Sequence, residues 1–147
     1  MQTPEDIQRT ATVHWDGDVA KGKGTITTES RLVTAGYSFG TRFSNEPGTN
    51  PEELLAASHA ACFSMALSAA MTRAGHPPTT VDTTAKVHLH REGAGFDIPR
   101  IELVTTVTAS GVSAEDFAAL AAGAKENCPI SRALRAVEIT LDAKLNP

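Results

Sequence analysis

Cys62 and Cys128 are the only two sulfhydryls in the chain, and neither occupies a passive setting. Cys62 lies in His59-Ala60-Ala61-Cys62-Phe63, deep in an alanine-rich stretch nearly free of charge. Cys128 sits in Asn127-Cys128-Pro129-Ile130-Ser131, where a helix begins. Such a pair is a structural disulfide, two unrelated packing residues, or a redox couple. A cysteine on an apolar helix is ordinarily a small buried hydrophobe, and that is the plain reading of Cys62. Cys128 differs. Pro129 suits the first position of a helix and makes Cys128 its N-cap, where free amides and the helix dipole stabilise a thiolate. The plainer alternative is a buried cap residue. On these grounds alone Cys128 is the more acidic thiol.

His59 precedes Cys62 by three positions, so both fall on one helical face. That spacing can begin a zinc site, but two further ligands are needed, and nothing ties the strand-borne His14, His88 and His90 to it. A polar helix contact is the better reading of His59, and no metal is expected. Arg42 stands just before the loop into the long helix, and Glu52 in that helix's first turn. Taken singly they are a solvated arginine and a carboxylate that complements the helix dipole.

Several elements must position these residues. Arg9 to Trp15 alternates Ala11, Val13 and Trp15 against polar partners, the pattern of a half-buried strand, and Asp16-Gly17-Asp18 turns it into a second strand from Gly22 to Thr28. A third strand is expected over Arg31 to Phe43, followed by a Gly-, Pro- and Asn-rich loop from Asn45 to Asn50. Asn50, Pro51, Glu52 and Glu53 open the long helix, and Gly75, Pro77 and Pro78 close it. Val81, Thr83, Ala85, Val87 and Leu89 form one face of the next strand, and Gly93-Ala94-Gly95 leads to another from Ile101 to Ala109. Ser113 and Asp116 resemble a helix-capping pair ahead of Phe117, Leu120, Ala121 and Ala124. A short helix after Cys128 carries Ile130, Ala133 and Leu134, and the last strand alternates Val137, Ile139, Leu141, Ala143 and Leu145. Three strands, a long helix, two strands, a helix pair and a final strand make an α+β class with mainly antiparallel pairing.

With 147 residues and 15.4 kDa, the chain is expected to form one domain that buries about 70% of its unfolded surface. A net charge of −4 and scattered basic residues argue against nucleic-acid binding. Leu54 to Thr72 holds no Asp, Glu, Lys or Arg, nearly the length of a membrane span, yet alanine and serine give too little transfer free energy to drive insertion. The stretch reads instead as a helix buried in protein on nearly all sides, and no membrane partner is expected. The amino terminus lacks a basic-then-apolar signal, and two cysteines are too few for a disulfide scaffold, so a reducing, cytoplasmic setting is expected.

Thr41-Arg42-Phe43, Gly48-Thr49-Asn50-Pro51-Glu52-Glu53-Leu54, the run from His59 to Leu67, and Asn127-Cys128-Pro129-Ile130-Ser131 together resemble the OsmC branch of the OsmC/Ohr peroxidase family. The likeness runs from His14-Trp15 through Thr140-Leu141-Asp142, nearly the whole chain, and both cysteines recur in matching surroundings. It implies an OsmC-like fold, with antiparallel sheets around a long central apolar helix. It also implies an intertwined homodimer with two active sites at the interface. The implied activity is thiol-dependent reduction of organic hydroperoxides and, less well, hydrogen peroxide, without a cofactor, recycled by a lipoylated protein or another dithiol. By position Cys62 resembles the peroxidatic cysteine and Cys128 the resolving one. Arg42 resembles the arginine that holds the thiolate, and Glu52 the carboxylate that orients it. The hydroperoxide-resistance branch draws its arginine from the first hairpin, where this chain offers Lys21, so Arg42 is the better candidate.

The chemistry suits these residue types. A thiolate attacks the peroxide oxygen and becomes a sulfenic acid, which a second thiol condenses to a disulfide. Burial raises a thiol's pKa, so Cys62 needs a cation, and a guanidinium cannot lose its charge. Phe43, Phe63, Met65 and Met71 are candidates for an apolar substrate lining. Glu52 and Cys62 are ten residues apart on one helix, about 15 Å along its axis, which argues against their direct cooperation within one helix. Each site is therefore expected to take its cysteines from one subunit, and Arg42 with Glu52 from the other. Two competing readings are a non-catalytic small-molecule or acyl-binding module of hot-dog-like shape and a structural disulfide protein. The first leaves the two matched cysteine motifs unexplained. The absence of Cys-x-x-Cys disfavours thioredoxin-like chemistry.

Overall fold

The structure is a computed structural model describing residues 5–147. It divides into two compact units between Pro51 and Glu52. The first contains strands β1 (Ala11–Asp16), β2 (Lys23–Thr28) and β3 (Thr34–Tyr37), an antiparallel sheet in that order. Gly24 on β2 pairs with Trp15 on one side and Tyr37 on the other, and any Cβ there would strike both rings. Its bareness lets the two rings meet over the strand, with centroids 5.2 Å apart. The half-burial expected of the first strand is not seen: every residue of β1 except Trp15 is exposed, Val13 by 56%.

The expected third strand ends early. After Tyr37 the chain enters a short helix, α1 (Phe39–Phe43), which carries Arg42. Ser38 causes the switch. Its Oγ accepts the Thr41 amide at 3.3 Å, while Thr41 Oγ1 accepts the Ser38 amide at 2.8 Å, a reciprocal cap that satisfies two otherwise orphaned donors.

The second unit is built on α2 (Pro51–Arg73). The helix ends in a Schellman motif: the His76 amide reaches Met71 O at 2.9 Å and the Gly75 amide Thr72 O at 3.0 Å, with Gly75 at φ 86. Burial on nearly all sides does not occur. Only His59, Phe63, Leu67 and Met71 are buried, one stripe at four-residue spacing, while Ala57, Ala61, Met65 and Ala69 form an exposed stripe on the other side. Length and composition would let α2 cross a membrane, but its buried stripe carries core contacts instead.

Strands β4 (Thr80–Val87), β7 (Arg100–Thr108) and β8 (Glu138–Asn146) form a sheet in the order β4-β7-β8. Ile101, Leu103 and Val107 of central β7 are at most 1% exposed and pack with Phe63, Leu67 and Met71 of α2. Each such side chain contributes about 1.5–3 kcal/mol by leaving water. Beneath the helix a polar chain is fully connected: Ser64 Oγ donates to Thr83 Oγ1 at 2.7 Å, which lies 2.9 Å from Thr105 Oγ1. Between β4 and β7 the chain inserts a small hairpin, β5 (His90–Glu92) and β6 (Gly95–Asp97), so four strands stand where two were expected.

Pairing is antiparallel throughout except between β7 and β8, which run parallel. A parallel pair needs a crossover, and α3 (Ala114–Asn127) with α4 (Pro129–Ala133) supplies it. Ser113 caps α3 by accepting the Asp116 amide at 3.0 Å, and Phe117, Ala121 and Ala124 face the core. The class is therefore α+β, with mainly antiparallel sheets and one long helix.

Candidate active site

The second unit brings the two cysteines together. Cys62 projects from mid-α2, while Cys128 is the joint between the last two helices, C-cap of α3 and N-cap of α4. The Cys128 amide closes α3 on Ala124 O at 2.9 Å, and its carbonyl accepts the Arg132 amide at 3.0 Å. Pro129 fills the first position of α4, where no amide hydrogen is needed. Both thiols are free, Cys128 fully buried and Cys62 half-buried. The Cys62 thiol lies in hydrogen-bonding contact with the Cys128 side chain and also receives the backbone N–H of Ile130.

The start of α4 serves the Cys62 sulfur directly. Cys128 caps α4 in backbone position only and makes no side-chain cap hydrogen bond. The amide that its N-cap position would have offered goes to Cys62. Burial is the largest influence on Cys62 and raises its pKa; the adjacent Cys128 thiol raises it further, and the Ile130 amide lowers it. The net effect holds the Cys62 thiol above its ordinary range. One amide only partly offsets desolvation, so an effective thiolate needs additional positive charge.

One turn before Cys62, His59 is completely buried, and its Nε2 lies 2.8 Å from Ser131 Oγ. Its Nδ1 is buried and has no hydrogen-bond partner among the described residues. Burial pushes the imidazole pKa down, so the ring is neutral. Among the described residues no three His, Cys, Asp or Glu side chains are disposed to hold a metal ion.

Arg42 is exposed on α1, its guanidinium carbon 5.2 Å from the Phe43 ring centroid. It borders a cavity of about 210 Å³ within the first unit, walled by Trp15, Tyr37, Phe39 and Phe43. Lys21 is exposed in the turn between β1 and β2. Glu52 lies in the first turn of α2. Because α2 is continuous from Pro51 to Arg73, Glu52 and Cys62 stay about 15 Å apart along it. Of the four candidates for an apolar lining, Phe63 and Met71 are 0% exposed inside the core, Met65 is 76% exposed, and Phe43 borders the cavity beside Arg42.

Two contributors were not foreseen: the Ile130 amide and the Ser131 hydroxyl. The start of α4 at Pro129 was legible and implied free amides at Ile130 and Ser131. Which sulfur would receive one depended on how α4 meets α2.

The sequence profile described as OsmC-like protein matches residues 43–142. The chain is 49% identical over 140 residues to the peroxiredoxin OsmC of Escherichia coli, covering 95% of this chain and 97% of that protein. Two crystal structures share the fold. The organic hydroperoxide resistance protein of Elizabethkingia anophelis has a TM-score of 0.73 at 25% identity, over 97% of this chain and 100% of that one. OhrB of Bacillus subtilis has a TM-score of 0.67 at 27% identity, over 93% and 98%. With two thiols in contact on this fold, a profile match across more than half its length and near-full-length identity to one member, the chain belongs to the OsmC-like protein family.

Proposed function

We propose that the protein is a thiol-dependent peroxidase that reduces organic hydroperoxides and, less well, hydrogen peroxide. The observation carrying this reading is the contact between its only two thiols, one of which also holds a helix amide. The names of its relatives, peroxiredoxin and organic hydroperoxide resistance protein, support it.

In the first step the Cys62 thiolate attacks the terminal peroxide oxygen. The O–O bond breaks, the alkoxide leaves and takes a proton to become an alcohol, and Cys62 is oxidised to sulfenic acid. Cys128 then attacks that sulfur, water leaves, and the Cys62–Cys128 disulfide forms. A dithiol reductant, such as a dihydrolipoyl group on a partner protein, exchanges with the disulfide, returns both thiols and leaves as its own disulfide. The direct contact between the thiols favours the second step, because the resolving sulfur needs no large chain movement to reach its target.

Arg42 supplies the positive charge that Cys62 lacks, and Glu52 holds the guanidinium in place. The axial separation of Glu52 from Cys62 supports a homodimeric site in which Arg42 and Glu52 come from one subunit and both cysteines from the other. The exposed Ala57-Ala61-Met65-Ala69 stripe supports the same assembly, since an apolar helix face of this length is usually covered. A reducing compartment such as the cytoplasm keeps both thiols ready. A non-catalytic binding module leaves the paired thiols without a purpose.

Turnover tests the proposal: cumene hydroperoxide is added to the protein with excess dihydrolipoamide and its consumption followed. Catalytic consumption that disappears in Cys62→Ser is expected. Consumption unchanged by Cys62→Ser would remove the assignment.

A further inference from the structure

His59 is the one ionisable side chain on the buried stripe of α2; the three positions that follow it in register are Phe63, Leu67 and Met71. A phenylalanine or leucine there would complete the core without desolvating a polar ring that is only partly satisfied. The ring makes one hydrogen bond, to Ser131 Oγ, and Ser131 is itself 5% exposed. These two are among the few buried polar side chains of the chain, and they are bonded to each other across 72 residues of sequence.

The partners have a common geometry. His59 and Cys62 lie one turn apart on α2. Ser131 and Ile130 are adjacent in the first turn of α4, and Cys128 is its cap. Thus α2 meets α4 through two points: His59 to Ser131, and Cys62 to the Ile130 amide and the Cys128 thiol. α4 spans only Pro129–Ala133, and a small turn of it would move the Ile130 amide off the sulfur.

We infer that His59 and Ser131 form a latch that positions the α4 start on Cys62, so that the Ile130 amide and the Cys128 thiol both face the reacting sulfur. Neither residue touches substrate; they are positioning residues. The latch rests on the peroxidase reading above and deepens it by adding two residues to its machinery. An orphaned buried N–H is rarer than an orphaned acceptor, which assigns the proton to Nε2, donating to Ser131 Oγ, and leaves Nδ1 as a bare acceptor. The Ser131 hydroxyl keeps its own proton for a second partner.

The test separates positioning from packing. His59→Phe keeps the core filled, so its urea-unfolding midpoint should stay near the parent value or rise. Ser131→Ala removes only one oxygen. In both, after one equivalent of cumene hydroperoxide, the Cys62 sulfenic acid trapped by dimedone should live about tenfold longer than in the parent, as one lost orienting hydrogen bond of ~1.4 kcal/mol would give. The pH midpoint of Cys62 alkylation should also move upward. Ser131→Thr, which keeps the hydroxyl, should restore both. Equal sulfenic acid lifetimes and alkylation midpoints in parent, His59→Phe and Ser131→Ala would overturn the latch. A parent that forms no sulfenic acid or disulfide at all would overturn the peroxidase reading instead.

Discussion

The Cys62 thiol rests against the Cys128 thiol while accepting the amide of Ile130, so the helix that Cys128 caps gives a backbone amide to its neighbour's sulfur. This division of labour suits two thiols with different tasks. The attacking sulfur receives the donor, and the second waits in contact, fully buried. It also leaves a deficit, because burial still outweighs the amide at Cys62.

Arg42→Ala is expected to lower kcat/KM for cumene hydroperoxide by about a hundredfold or more, the size of effect seen when one preorganised charge-stabilising donor is lost. Arg42→Lys should recover only part, because an ammonium lacks the forked geometry that grips a thiolate and a carboxylate together. Glu52→Gln should fall between. If Arg42→Ala retains parental kcat/KM, the cation at Cys62 is another residue.

Subunit sharing is open to complementation. Cys62→Ser and Arg42→Ala chains are each expected to be inactive alone. Mixed through unfolding and refolding, they should form heterodimers with one intact site each and recover part of the parental activity. Heterodimers confirmed by mass spectrometry but wholly inactive would mean that each chain supplies its own arginine.

The buried imidazole predicts a pH dependence of stability. His59 is held below its ordinary pKa, so the folded ring stays neutral. As pH falls below about 6.5, the unfolded chain takes up a proton that the folded chain refuses. Stability fully present above that pH is therefore lost as pH falls toward the lowered folded value, by at most about 1.4 kcal/mol per pH unit. Urea unfolding at pH 7.5 and 5.5 should show a smaller drop for His59→Phe than for the parent. Identical drops would mean that the ring is not buried neutral. Glu102, held below the usual carboxylate range chiefly by its hydrogen bond from His88, adds a separate loss at more acidic pH, which both proteins share.

The two stripes of α2 should respond differently to substitution. Leu67→Ala, inside the core at 0% exposure, should cost about 2–5 kcal/mol of stability. Met65→Asp, 76% exposed on the opposite stripe, should leave the fold of the chain intact and convert the proposed homodimer to monomer in sedimentation. A Met65→Asp protein that remains dimeric would place the interface elsewhere.

Where local chemistry decides structure, the sequence was legible. Pro51 and Gly75 bounded α2, Ser113 opened α3, and strict alternation marked β4 and β8. The misses share a cause, since each depended on partners distant in sequence or on short-range competition. Ser38 diverted the expected strand into α1 because its side chain captures the Thr41 amide, a cap hidden inside an apolar-looking run. The alanine-rich stretch looked buried all round, yet it fully buries only the His59-Phe63-Leu67-Met71 stripe. The Cys128 cap position was legible, but the contact of the Ile130 amide with Cys62 was not, because the register between α2 and α4 is a tertiary fact. His59 was expected to make a polar helix contact; its partner, Ser131, stood within the Cys128 motif all along.

Whether Cys62 and Cys128 are a peroxide-reactive pair is tested most directly by titrating free thiols after adding one equivalent of cumene hydroperoxide to the reduced protein. Rapid loss of both thiols and an intramolecular Cys62–Cys128 disulfide are expected in the parent. In Cys128→Ser, Cys62 should be lost to a dimedone-reactive sulfenic acid without that disulfide. Both thiols remaining free in excess hydroperoxide would contradict that assignment.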